Sequence, residues 1–149
     1  MTDIELVRQA LKARLSAYAP YSNHPVGAAL ECADGEIILG CNIENAGYTP
    51  SNCAERTAFF KAVSEGKMNF SRIAVVGGMK DKDPLDFCAP CGVCRQVMME
   101  FCNPDTFEII LAKAANPRHP EVLTDDDIEI KKYTLKEILP MGFGPNSLK

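Results

Sequence analysis

Four cysteines and one glutamate carry the chemistry that this sequence can be asked about. Cys53 and Glu55 stand two residues apart in "SNCAERTAFF", with Arg56 next. Downstream, "FCAPCGVCRQ" places Cys88, Cys91 and Cys94 at intervals of three. Cys91-x-x-Cys94 presents two sulfurs one helical turn apart, the usual spacing for one zinc ion, and Cys53 would be a third ligand. Three protein ligands leave the fourth zinc position for water, which the metal makes acidic enough to supply hydroxide near neutral pH. That chemistry needs a proton carrier that is not itself a ligand. Glu55, in the same first turn as Cys53, fits the role. Taken alone it also reads as a helix-cap carboxylate facing solvent, and Cys53 as a plain buried thiol. Three thiolates on zinc sum to a charge of −1, and Arg56 is placed to donate hydrogen bonds that offset it.

The elements around these residues must bring two distant segments together. Thr2 and Glu5 form a capping box for a first helix, with Val7, Leu11, Leu15 and Tyr18 at helical spacing and a stop before Pro20. "PVGAALECADGEIILGCNI" reads as two strands around an Asp34-Gly35 turn. After a polar loop over 43–52, Asn52 is a candidate cap for a helix running to about Ser64, with Gly66 beyond its end. "RIAVVGGM" is an apolar strand, "KDKDPLDFCAP" a loop, and Pro90 suits the first turn of a helix over 91–102. "FEIILAK" is the next strand. Residues 114–127 are too polar and proline-broken for a crossover helix, so "IEIKKYT" should return antiparallel. Thr134 and Glu137 cap a last short helix. The order α-β-β-α-β-α-β-β-α implies a mixed sheet with helices on its faces. Two of those helices begin with cysteines. If they lie side by side, their N-termini meet, and the free N–H groups there favour thiolate.

Composition narrows the function classes. The 149 residues fit one domain, taken as 1–149, with 46% hydrophobic and 24% charged residues. The apolar runs fall far short of the ~20 residues of a membrane span. The charged N-terminus is unlike a secretory signal. The net charge of −4 comes without a basic block, which argues against nucleic-acid polymers as partners. Seven cysteines without a secretory signal suggest a reducing, cytoplasmic setting, with Cys32, Cys41 and Cys102 as plain core or near-surface thiols.

The Cys-x-Glu and Pro-Cys-x-x-Cys pair resembles the signature of zinc nucleoside and nucleobase deaminases. Within that group the chain resembles the small homotetrameric cytidine deaminases, through "PVGAAL", "GCNIENAGY", "NCAERTA", "PCGVCRQ" and the tail "LPMGFGP". The resemblance implies a three-layer αβα fold with a five-stranded mixed sheet, a bound Zn2+, and hydrolytic deamination of cytidine and 2′-deoxycytidine in pyrimidine salvage. It implies Cys53, Cys91 and Cys94 as ligands and Glu55 as proton carrier. Asn42 and Glu44 would hold the ribose, a pairing that repels phosphate and favours a free nucleoside. The backbone at Ala54 and Ala89 would read the base edge. Phe143 would cover the base, from a neighbouring subunit of a homotetramer with shared sites. The chain departs from the family at His24, where phenylalanine is common, and at Ala89, where serine is common; both touch substrate preference. Other readings stay open: a deaminase of a cytosine-bearing antibiotic nucleoside, or a structural four-cysteine zinc module with Cys88 as the fourth ligand and no catalysis. An iron–sulfur run is disfavoured, because the next cysteine after Cys94 is Cys102.

Overall fold

A computed structural model describes all residues from Met1 to Lys149. The chain forms β1 (Val26–Cys32), β2 (Ile37–Cys41), β3 (Phe70–Gly77), β4 (Glu108–Ala114) and β5 (Ile128–Thr134), with α1 (Asp3–Arg14), α2 (Ala54–Ser64), α3 (Gly92–Phe101) and α4 (Leu135–Ile138). One five-stranded sheet runs in the order β2-β1-β3-β4-β5. Only β3 and β4 pair in parallel; the other neighbours are antiparallel, including the β5 return.

Alternation along the strands divides the core into two layers. Ala28, Leu30, Ile73, Val75, Ile109 and Leu111 face α2, α3 and α4, with Phe59 and Met98 filling the space between. Ala29, Ala74, Val76, Ile110 and Ala112 face α1 through Leu6, Val7, Ala10 and Leu11. This is the three-layer arrangement expected, because the central strands β1, β3 and β4 bury apolar residues on both sides of the sheet.

The helix limits differ from the sequence expectation at several points. α1 ends at Arg14, so Leu15 and Tyr18 leave its buried stripe and are 53% and 54% exposed. Its last turn instead buries Arg14. Asn52 does not cap α2: the N-cap is Cys53, without a side-chain cap. In α3 the cap is Cys91, whose sulfur accepts from the Cys94 N–H at 3.5 Å, and Pro90 lies just outside the helix. Both capping boxes, Thr2–Glu5 and Thr134–Glu137, form.

Gly40 fixes where α2 starts. A Cβ there would fall 2.6 Å from the Ala58 nitrogen and collide with the Ala54 carbonyl. The missing side chain lets the first turn of α2 rest directly on β2, which sets the height of Cys53 and Glu55 above the sheet.

Candidate active site

α2 and α3 lie on the same side of the sheet, and their N-caps are the two cysteines singled out by spacing. The Sγ atoms of Cys53 and Cys91 are 3.7 Å apart, and those of Cys91 and Cys94 are 3.3 Å apart. All three sulfurs lie within 4.8 Å of one another. Tetrahedral zinc with ~2.3 Å bonds to sulfur separates its ligands by about 3.8 Å, so the spacing suits one such ion. Soft thiolates in this number also suit zinc over magnesium or calcium. Cys88 is outside this cluster and stands on the wall of the adjoining cavity. The four-cysteine structural module is therefore not what the fold builds.

The electrostatics of the three thiols are unequal. The hydrogen bond with the Cys94 thiol, and next that of Arg56, pull the Cys53 thiol down to about 5 against the cost of burial. Arg56 Nη2 donates to Cys53 Sγ at 3.1 Å. Cys94, fully buried, moves upward through its hydrogen bond with Cys53 and through burial. Without metal, the negative charge thus settles on Cys53, where the guanidinium and the open end of α2 stabilise it.

Glu55 is 4% exposed and lies on the cavity beside this cluster. Burial pushes its carboxyl up to about 7; its own backbone N–H pulls the other way, and negative charge at Cys53 adds to the rise. A carboxyl that gains and loses its proton near neutrality is suited to proton transfer.

The cavity has a volume of about 400 Å³, enough for a nucleoside-sized molecule. His24, Asn42, Glu44, Ala54, Arg56, Cys88 and Ala89 all border it. Asn42 is nearly buried and ties the chain together: its Oδ1 accepts from Val26 N–H at 2.8 Å and its Nδ2 donates to the His24 carbonyl at 2.9 Å. Glu44 accepts from the Tyr21 and Ser22 N–H groups, and from the Ser22 hydroxyl. These bonds hold its charge at the cavity mouth and keep its carboxyl below the ordinary carboxylate range, chiefly through Ser22.

Two candidates do not line the cavity: Cys94, which is fully buried within the sulfur cluster, and Phe143, which this chain keeps away from both. Phe143 is 60% exposed on the C-terminal tail, where Gln96 Nε2 donates to its carbonyl at 2.7 Å. Ser22 is a cavity residue that the sequence reading did not single out. Its only signal was a hydroxyl in a proline-bounded loop before β1, which is common in any turn.

Comparison with known proteins agrees with this geometry. The family described as "Cytidine and deoxycytidylate deaminase zinc-binding region" matches residues 1–109. The chain is 45% identical over 147 residues to a cytidine deaminase of Sporosarcina psychrophila, covering 98% of this chain and 95% of that one. It is 45% identical over 138 residues to a cytidine deaminase of Halalkalibacterium halodurans, covering 93% and 91%. The crystal structure of a cytidine deaminase from Burkholderia pseudomallei superposes with a TM-score of 0.74 at 43% identity, over 96% of this chain and 100% of that one. Sulfur cluster, buried carboxyl and sequence similarity converge, and the chain belongs to the cytidine and deoxycytidylate deaminase family.

Proposed function

We propose that the protein hydrolyses cytidine and 2′-deoxycytidine to the uridine nucleosides and ammonia, with zinc as cofactor. The observation that carries this reading is one cavity bordered by a three-sulfur cluster, the buried Glu55, and the polar pair Asn42 and Glu44. Cys53, Cys91 and Cys94 are assigned to hold the metal. When bound there, zinc supplies hydroxide-like reactivity to a water near neutral pH.

Glu55 takes a proton from the attacking water and delivers it to ring N3. It then passes a second proton to the departing amine at C4, so one water is consumed and one ammonia released. Its burial supports both transfers, because the carboxyl meets little water that would hold it ionised. Arg56 keeps Cys53 anionic. Asn42 and Glu44 are assigned to the ribose hydroxyls, and the Ala54 and Ala89 backbone to the base edge. His24 borders the sugar end of the cavity beside Glu44.

A homotetramer with shared sites accounts for the outward Phe143, which would cover the base in a neighbouring subunit. The seven free cysteines support a reducing, cytoplasmic setting, and the reaction suits pyrimidine salvage. Residues 1–149 act as one catalytic domain. The test is incubation of zinc-loaded protein with cytidine, following the loss of its ultraviolet absorbance, with elemental analysis of the same sample. Absence of turnover at one zinc per chain would overturn the reading.

A further inference from the structure

A second depression, separate from the active-site cavity, lies at the end of α1. Arg14, in the last turn of α1, is 3% exposed, yet no carboxylate pairs with it. Its Nε donates to the Pro25 carbonyl at 3.0 Å, and its Nη2 to the Gly78 and Met79 carbonyls at 3.0 and 3.4 Å. Nη1 makes no hydrogen bond and is not sealed from solvent. Arg14 borders a depression of about 260 Å³ that Lys80, Arg118 and Asn23 also line.

The charge of this depression is one-sided. Its lining carries three cationic side chains and no carboxylate. Lys80 forms no ion pair; Arg118 pairs with Asp81, which is not part of the lining. Arg118 also donates to the Lys80 carbonyl at 2.8 and 3.1 Å, which fixes the guanidinium beside the Lys80 backbone. A nearly buried guanidinium satisfied only by carbonyls is costly unless a counter-charge is near. Burial first, and then the charge of Arg118, hold Arg14 below the ordinary guanidinium range.

We propose that this depression binds a phosphate-class oxyanion, free or carried as a phosphomonoester. A tetrahedral oxyanion offers several acceptors at once, which suits a free Arg14 Nη1, the Lys80 ammonium and the edge of Arg118. The site is distinct from the substrate cavity but close to it. Pro25, whose carbonyl Arg14 holds, stands between His24 and Val26, which both border that cavity.

The experiment is titration of the zinc-loaded protein by calorimetry at constant ionic strength. One arm uses inorganic phosphate, a second ribose 5-phosphate, and a third sodium chloride, each repeated with saturating uridine in the substrate cavity. The expected result is saturable binding of one phosphate or phosphomonoester per chain that uridine does not displace. Lys80→Glu should weaken it by about tenfold or more, the loss of one charge-assisted contact, and Lys80→Arg should retain it. Lys80 is exposed, so both variants should keep the circular dichroism of the parent. Equal affinity in the first two arms identifies the free ion; tighter ribose 5-phosphate identifies a phosphomonoester. Absence of saturable binding, an equal effect of chloride, displacement by uridine, or unchanged affinity in Lys80→Glu would each overturn the site.

Discussion

Ser22 holds Glu44 from two sides: its backbone N–H donates to Glu44 Oε1 at 3.0 Å, and its hydroxyl donates to Oε2. A carboxylate on an exposed loop would otherwise sample several rotamers. Ser22→Ala should therefore raise KM for cytidine about three- to tenfold with little change in kcat, the pattern for lost ground-state positioning. An equal fall in kcat would place Ser22 in the chemical step instead.

Glu55→Gln should keep zinc and fold while activity drops by at least the ~10²–10⁴-fold of one general acid–base contribution. Retention of more than about a tenth of the activity would remove Glu55 from the mechanism.

The same residue has a signature in the metal-free protein. Its folded carboxyl titrates near 7 and its ordinary value is 4.5, raised chiefly by burial. Between those pH values the folded state holds more protons than the unfolded one, so the Glu55 contribution to stability is present below 4.5 and is lost as pH rises through 7. The full span is about 3 kcal/mol. Denaturant unfolding of metal-free Glu55→Gln should lack this decline. Parallel stability-versus-pH curves for parent and variant would contradict it.

Metal retention should sort the cysteines. Cys91→Ser and Cys53→Ser should lose zinc, whereas Cys88→Ser should keep it, since Cys88 is outside the sulfur cluster. Arg56→Ala removes the 3.1 Å bond to Cys53 and should weaken zinc affinity about 10–100-fold, read by competition with a chromophoric chelator.

Phe143 provides the test of shared sites. Phe143→Ala and Glu55→Gln subunits should each be nearly inactive alone, because burial of such a ring is worth ~1.5–3 kcal/mol. Reassembled together they should regain part of the activity through sites that combine an intact Glu55 with a neighbour's intact Phe143. No recovery in verified mixed oligomers would mean that each site is built from one chain.

Local patterns carried much of this protein. Alternating apolar residues, the Asp34-Gly35 turn and the Thr2 and Thr134 capping boxes depend on neighbours within a few residues, so the strands, the hairpin and two helix starts were legible. The spacing of Cys91 and Cys94, and of Cys53 and Glu55, likewise lies within single turns and announced metal and proton chemistry. Helix ends were less legible. α1 stops at Arg14, and the partners of that side chain, the Pro25 and Gly78 carbonyls, lie 11 and 64 residues away, beyond the reach of any local pattern.

Only the tertiary structure decided which cysteines meet. Cys53 and Cys91 are 38 residues apart in sequence, and their approach depends on α2 and α3 sharing one face of the sheet. Gly40 is equally silent in sequence until α2 is seen resting on it. The exclusion of Cys88, the burial that raises Glu55, and the hold of Ser22 on Glu44 all arise from segments distant in sequence that pack together. Residue types set the available chemistry, but desolvation and distance are properties of the folded chain, and these turn a cysteine and a glutamate two residues apart into a thiolate beside a carboxyl poised near neutrality.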